Sequence, residues 1–297
     1  MQNHADLLEG LNSQQFKAVT HADGSLLVLA GAGSGKTKVL TTRLAWLIRT
    51  RHLGISEVLA VTFTNKAARE MLNRVGRLLH TDTKYMWVGT FHSIALRLLR
   101  AHYQEAGLPA SFQIIDAGEQ QSLIKRLIKQ KGLDEDRYPA KEIQSYINYQ
   151  KEQGLRAAQL TPDGLRTQQW LEIYNLYEET CNRDGLVDFT ELLLRSYELL
   201  AMHDGLLRRY QQQFKHILVD EFQDTNQLQY LWLKILVGAE SEIFAVGDDD
   251  QSIYSFRGAK VSNMRAFLRD FNAPDPLRLE QNYRSTTTIL DAANALI

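Results

Sequence analysis

Five short runs in this 297-residue chain, at 25–30, 57–63, 86–89, 216–220 and 242–246, are apolar along most of their length and lack a polar face. A strand that is apolar on both faces needs cover on both sides, which is the condition of a parallel strand inside an α/β sheet. Between the first two runs, residues 36–51 place Val39, Leu40, Leu44, Leu47 and Ile48 at helical spacing, so strand, helix and strand form a crossover unit. The same grammar returns near the end, where an amphipathic stretch at 227–237 separates the last two runs.

From 91 to 213 strand signals almost vanish. Helical patterns occupy 94–106, 119–131, 141–152, 167–183 and 189–200, with breaks at Gly107-Leu-Pro109, Tyr138-Pro139 and Thr161-Pro-Asp-Gly164. The economical reading is an α/β domain split in sequence by a mostly α-helical insert. A strand entry near 275–280 and an apolar helix opening at 286 cannot bury a core alone. They either complete the first domain or open a further one.

Composition narrows the class without naming a partner. Hydrophobic residues make up 44% and charged residues 23%, which excludes a disordered chain. The net charge of −1 is a cancellation: 11 Lys and Arg stand against 6 Asp and Glu in residues 1–90, 15 against 17 over 91–213, and 8 against 12 over 214–297. The single cysteine, Cys181, excludes an intramolecular disulfide and fits a reducing compartment. No run of 18 apolar residues occurs and the first ten residues do not read as a secretion signal, so a soluble, cytoplasmic protein is expected.

Three motifs follow directly on the apolar runs. Ala30-Gly31-Ala32-Gly33-Ser34-Gly35-Lys36-Thr37 lies between a strand and a helix, where main-chain N–H groups can wrap phosphates, Lys36 can meet the outer two and the Thr37 hydroxyl can hold Mg²⁺. The bland alternative is a Gly-rich turn with a surface lysine. Asp220 ends the run at 216–220 and Glu221 follows it, within Val219-Asp-Glu-Phe-Gln-Asp-Thr225; in a nucleotide site the first acid holds Mg²⁺ and the second orients and deprotonates the attacking water. Read alone, they are acids leaving a core. The third motif, Gly247-Asp-Asp-Asp-Gln251-Ser-Ile-Tyr254-Ser-Phe256-Arg257, reads equally as a γ-phosphate sensor around Gln251 or as a solvated turn followed by a core face.

Five further motifs complete the set: Leu11-Asn-Ser-Gln-Gln15, Val61-Thr-Phe-Thr-Asn-Lys-Ala-Ala68, Val88-Gly-Thr-Phe-His-Ser93, Leu186-Val-Asp-Phe-Thr-Glu-Leu192 and Gln281-Asn-Tyr-Arg-Ser285. All eight in this order resemble the superfamily 1A DNA helicases of the UvrD/Rep/PcrA type, over nearly the whole chain. The resemblance implies a RecA-like P-loop NTPase sheet flanked by helices at 1–90 and 214–278 (domain 1A), a helical accessory domain at 91–213 (1B), and the start of a second motor domain (2A) at 279–297. It implies an ATP-driven 3′ to 5′ translocase and helicase of bacterial DNA repair, with ATP and Mg²⁺ as cofactors. Its partners would be single-stranded DNA, 3′-tailed duplex and repair proteins, with no membrane.

Residue by residue, the resemblance implies that Gln15 reads the adenine edge, Tyr283 stacks on the base and Arg284 reaches the γ-phosphate as an arginine finger. Gln251 would couple phosphate state to DNA grip. Phe63, Tyr254 and Phe256 would be base platforms, with His92 and Arg257 nearby, and such stacking tolerates any sequence. Phe63 could instead only close a strand core, His92 could cap or pack, and Arg257 could contact nucleotide. Two positions depart from the family: Phe256 stands in place of tryptophan, and Lys38 where arginine is common. A second motor domain is expected beyond these residues, without which the chain would be an ATP-binding module with little motor activity. A P-loop NTPase of another class is the remaining competitor, though neither a phosphoacceptor pocket nor a transporter signature loop is present.

Overall fold

Strands apolar on both faces settle into the middle of a sheet, and β1 (Leu26–Ala30) and β2 (Val58–Thr62) are buried at all five positions each. The computed structural model describes residues 5–248 and 262–283. Along the chain α1 (Ala5–Leu8) and α2 (Ser13–Val19) precede β1, which leads into α3 (Lys36–Thr50). β2, α4 (Asn65–Leu79) and β3 (Trp87–Thr90) repeat the strand and helix alternation. A helical stretch follows: α5 (Phe91–Ala101), the two-residue β4 (Gln113–Ile114), α6 (Ala117–Gln130), α7 (Ala140–Glu152) and α8 (Leu165–Asp184). It continues through β5 (Leu186–Val187), α9 (Phe189–Met202) and α10 (Asp204–Gln213). The chain returns to strand with β6 (His216–Val219), then α11 (Gln227–Leu236), β7 (Glu242–Gly247), α12 (Ser262–Asp270) and β8 (Leu277–Leu279).

Six strands form one sheet in the order β3-β2-β6-β7-β1-β8, and every pairing is parallel. Parallel strands put all their C-terminal ends on one edge of the sheet, where ligands of open α/β sheets bind. Helices cover the sheet through apolar faces: α4 buries Ala68, Met71 and Val75, spaced three and four apart, while Thr64 caps its first turn by accepting from the Ala67 N–H. Val39, Leu40, Leu44 and Leu47 of α3 share a core cluster with Val28, Ala60, Leu218 and Val246 of four strands.

The chain divides into two compact units. The first holds Met1–Phe91, Arg208–Thr225 and Leu236–Ile297; the second holds His92–Leu207 and Asn226–Ile235. Within the second unit, α6, α7 and α8 bury Ile124, Ile128, Ile143, Ile147 and Tyr174 against one another. The amphipathic α11, whose position between two strands assigned it to the sheet, groups with these helices instead. Its Trp232 is fully buried and its indole N–H donates to Ser196 Oγ of α9 at 3.0 Å.

Sequence patterns miss three features. α10 carries few apolar residues among its arginines and glutamines, so its period is faint. β4 and β5 pair over only two residues, Gln113 with Leu186 and Ile114 with Val187, too few for periodicity to show. The helix read at 94–106 begins earlier, at Phe91, and ends at Ala101. Beyond β7, β8 pairs with β1 at the rim of the first sheet. Residues after it remain hydrogen-bonded to that unit as far as Tyr283, within the stretch that the resemblance assigns to the start of a further domain.

Candidate functional site

The loop after β1 turns into α3 at Gly35, whose φ of 88° lies in the left-handed region that suits glycine. A Cβ there would also meet Gln15 Nε2 at 2.7 Å, so two constraints select glycine. Ser34 is 3% exposed and turned inward, its hydroxyl donating to the Gly31 carbonyl at 2.7 Å. No side chain caps α3. Its first N–H groups are therefore left to an anion, with the helix dipole favouring negative charge at the same point.

Beside this loop lies a cavity of about 330 Å³ lined by Ala32, Gly33, Gly35, Lys36 and Thr37, together with Glu221 and Tyr283. Lys38 and Arg74 complete the lining. Lys36 reaches across it, its Nζ 3.3 Å from Glu221 Oε2 and 3.5 Å from Asp248 Oδ2. These acids follow β6 and β7, adjacent strands, so the sheet itself sets their spacing.

Asp220 follows β6 directly and is 6% exposed. Thr62 Oγ1 donates to its Oδ2 at 3.4 Å, while its Oδ1 is buried without a hydrogen-bond partner. Burial pushes its pKa up to about 6, with the adjacent Glu221 charge adding to the rise and Lys36 opposing it. An ionised oxygen held this way is costly unless a cation meets it. Among the described residues no group of three or more His, Cys, Asp or Glu side chains is placed to hold a metal. One carboxylate and the Thr37 hydroxyl beside a phosphate loop nevertheless suit Mg²⁺, which keeps its waters and takes most other oxygens from substrate.

Gln15 is 1% exposed, and both ends of its carboxamide are in use. Nε2 donates to the Ser34 carbonyl at 2.9 Å, and Oε1 accepts from the Asn12 N–H at 3.2 Å in a capping box. One N–H and one lone pair remain for a ligand. Asn12 Nδ2 donates to the Tyr283 hydroxyl at 2.8 Å. The Tyr283 N–H and Asn282 Nδ2 donate to the Gly33 and Ala32 carbonyls, at 2.8 and 2.6 Å. The Tyr283 ring is 55% exposed, held at the cavity by its own backbone. Lys38 is committed elsewhere, donating to the Gly10 carbonyl at 2.6 Å.

Of the residues that the resemblance assigns to DNA, two lie within the described residues. Phe63, just past β2, is half-buried and meets the buried Phe91 ring edge-on at 5.6 Å. In the helical unit, His92 is half-buried and meets the ring of Phe189 at 5.8 Å, also edge-on. Burial lowers the His92 pKa, so its imidazole is neutral at pH 7. Gln251, Tyr254, Phe256, Arg257 and Arg284 lie outside the described residues.

Sequence reasoning overlooked Arg74, Gln223 and Phe189. Arg74 lines the cavity from α4, paired with Glu70, and nothing in its helical spacing separates it from a solvated arginine. Gln223 bonds Glu221 and the main chain of Asp248. Phe189 leaves a large ring 57% exposed at the start of α9. Its place inside the Leu186–Leu192 motif was the available signal.

An all-parallel sheet with a phosphate loop after one central strand and an acidic pair after another defines a P-loop α/β domain of the RecA-like class. The chain belongs to the UvrD/REP helicase N-terminal domain family, matched over residues 11–272. It is 52% identical over 302 residues to the DNA helicase II of Haemophilus influenzae, covering 100% of this chain and 41% of that protein. Identity to the Escherichia coli DNA helicase II is 52% over 292 residues, with 98% of this chain and 41% of that protein covered. The ATP-dependent DNA helicase PcrA of Leuconostoc citreum is 42% identical over 294 residues, covering 98% and 39%. The chain thus spans about two fifths of the length of these relatives. Among the described residues no helix is long and apolar enough to cross a membrane.

Proposed function

We propose that this chain is the nucleotide-binding motor portion of an ATP-dependent DNA helicase that moves 3′ to 5′ along single-stranded DNA, in the cytoplasm of a bacterium and in DNA repair. The observation that carries the reading is the meeting of Lys36, Glu221 and the buried Asp220 at the C-terminal ends of β1 and β6, around the cavity of the Gly-rich loop. The names of the relatives, DNA helicase II and ATP-dependent DNA helicase PcrA, support ATP as the nucleotide and DNA as the track.

In this reading the main-chain N–H groups of residues 31–37 bind the phosphates, and Lys36 exchanges its carboxylate partners for the outer two. Thr37 and Asp220 hold Mg²⁺, which when bound neutralises charge on the phosphate oxygens. Glu221 orients the attacking water and takes its proton. Tyr283 offers the base an exposed ring, and Gln15 offers its remaining N–H and lone pair to the adenine edge. Gln251 and Arg284 are assigned to sensing and stabilising the γ-phosphate. Phe63, Tyr254 and Phe256 are assigned to stacking bases and His92 and Arg257 to contacting the strand, and the exposed Phe189 ring next to His92 joins that assignment.

The test is ATP hydrolysis by the complete gene product with and without single-stranded DNA, alongside unwinding of a 3′-tailed duplex. Stimulation by DNA is expected, and Lys36→Ala should lower kcat by about 10²–10³-fold, the cost of losing a donor to developing phosphate charge. Hydrolysis indifferent to DNA would return the chain to another class of P-loop NTPase. The 297 residues alone are expected to bind nucleotide without unwinding DNA.

A further inference from the structure

One buried side chain joins the ends of β6 and β7. Gln223, 2% exposed in the 3-10 turn Phe222–Asp224, donates from Nε2 to Glu221 Oε2 at 2.9 Å and accepts at Oε1 from the Asp248 main-chain N–H at 2.9 Å. Chemistry fixes the sense of the carboxamide, because a main-chain N–H only donates and a carboxylate only accepts. The fit is close. A Cβ on Gly247 would stand 3.0 Å from Gln223 Oε1 and 3.3 Å from its main-chain nitrogen, so any larger residue at the strand end would press Gln223 aside by a few tenths of an ångström.

Glu221 is held in an unusual posture. Its φ of 48° is left-handed, a conformation unfavourable for a non-glycine residue that persists where surrounding contacts impose it. Its Oε2 receives two donors, Gln223 Nε2 and Lys36 Nζ, whereas no hydrogen bond among the described residues reaches Oε1. In the proposed reaction Lys36 turns to phosphate. Gln223 then remains as the neutral donor that pins Oε2 and leaves Oε1 to face the water.

We propose that Gln223 is a positioning residue for hydrolysis: its carboxamide orients the Glu221 carboxylate and ties that orientation to the end of β7, the segment that leads into Gln251. The proposal rests on the assignment of Glu221 as the base. A misplaced base costs rate more than binding, by up to about 10²-fold for a displacement near 1 Å.

The complete gene product should be assayed for DNA-stimulated ATP hydrolysis and, separately, for affinity toward a fluorescent ATP analogue. Gln223→Met keeps the side-chain length and removes both hydrogen bonds; kcat should fall about ten- to hundredfold while nucleotide affinity changes less than about threefold. Placed on Glu221→Gln, the same substitution should cost nothing further, because a residue acting through Glu221 has nothing left to orient. Gly247→Ala, which displaces the Gln223 oxygen without touching Glu221, should reproduce the loss of kcat and serves if Gln223→Met does not fold. Wild-type kcat in both single variants, an equal fall in affinity, or an undiminished second loss on Glu221→Gln would overturn the proposal. Full activity in Glu221→Gln itself would instead remove the assignment of the base, a separate failure.

Discussion

At the scale of single residues, the acid pair after β6 illustrates how differently neighbours are treated. Asp220 is buried with one orphaned oxygen, whereas the Glu221 side chain is 37% exposed and shared between two donors. The folded-state pKa of Asp220, about 6, lies above its ordinary value near 3.8. Between roughly pH 4 and 6 the native protein keeps a proton that the unfolded chain has released, so stability falls as pH rises through that window and stays lower above it. Asp220→Asn is therefore expected to raise the stability of the nucleotide-free protein at pH 8 by about 1–3 kcal/mol and to leave it unchanged near pH 4. Thermal melts at the two pH values check this; equal gains at both would contradict it. Sequence placed Asp220 and Glu221 together at a strand end. Gln223 lies in the same motif, but its bridge was not legible there, because the partner amide is 25 residues away and is brought close by strand adjacency alone.

At the scale of elements, the helical unit keeps a charged core that helical periodicity misassigns to solvent. Lys151, in the last turn of α7, is 1% exposed. Its ammonium lies 2.7 Å from Asp188, the N-cap of α9, and 2.9 Å from Glu191 in the first turn of that helix. Burial pulls its pKa down, but the two carboxylates outweigh that and hold it above the ordinary lysine value. Arg156 and Arg195 also bond Glu191, and Tyr177 donates to Asp188 at 2.7 Å. Lys151→Met strands the Asp188 carboxylate with neutral donors only, and should cost about 3–5 kcal/mol in urea-induced unfolding. A loss below about 1 kcal/mol would mean that Tyr177 and Gln120 suffice. Helix existence was readable from apolar spacing in α6, α7, α8 and α9. The lysine was not, since lysines are mostly exposed and its partners sit 37 and 40 positions further along the chain.

At the scale of the whole molecule, the sheet depends on a strand that the local pattern leaves ambiguous. β8 contributes three residues, yet it covers the outer side of β1, the strand that carries the phosphate loop, and buries Leu279 at 4% exposure. Removing residues 275–297 would open an apolar edge whose N–H and C=O groups invite pairing with another chain. The shortened chain is expected to lose at least ~2 kcal/mol of stability from the lost apolar burial and to self-associate, as read by thermal melting and size-exclusion chromatography. A monomer with an unchanged melting temperature would show that β1 tolerates a bare edge. A parallel sheet interrupted by helices, with the Gly-rich loop and the acids following strands, is legible along the chain, because two-sided apolar runs and backbone-dictated loops are local properties. Strand order was decided only by tertiary packing, along with the placing of α11 among the helices, the Gln223 bridge and the hold of Asn12 on Tyr283. Each of these joins residues whose proximity is set by which surfaces bury one another, and a one-dimensional pattern does not carry that choice.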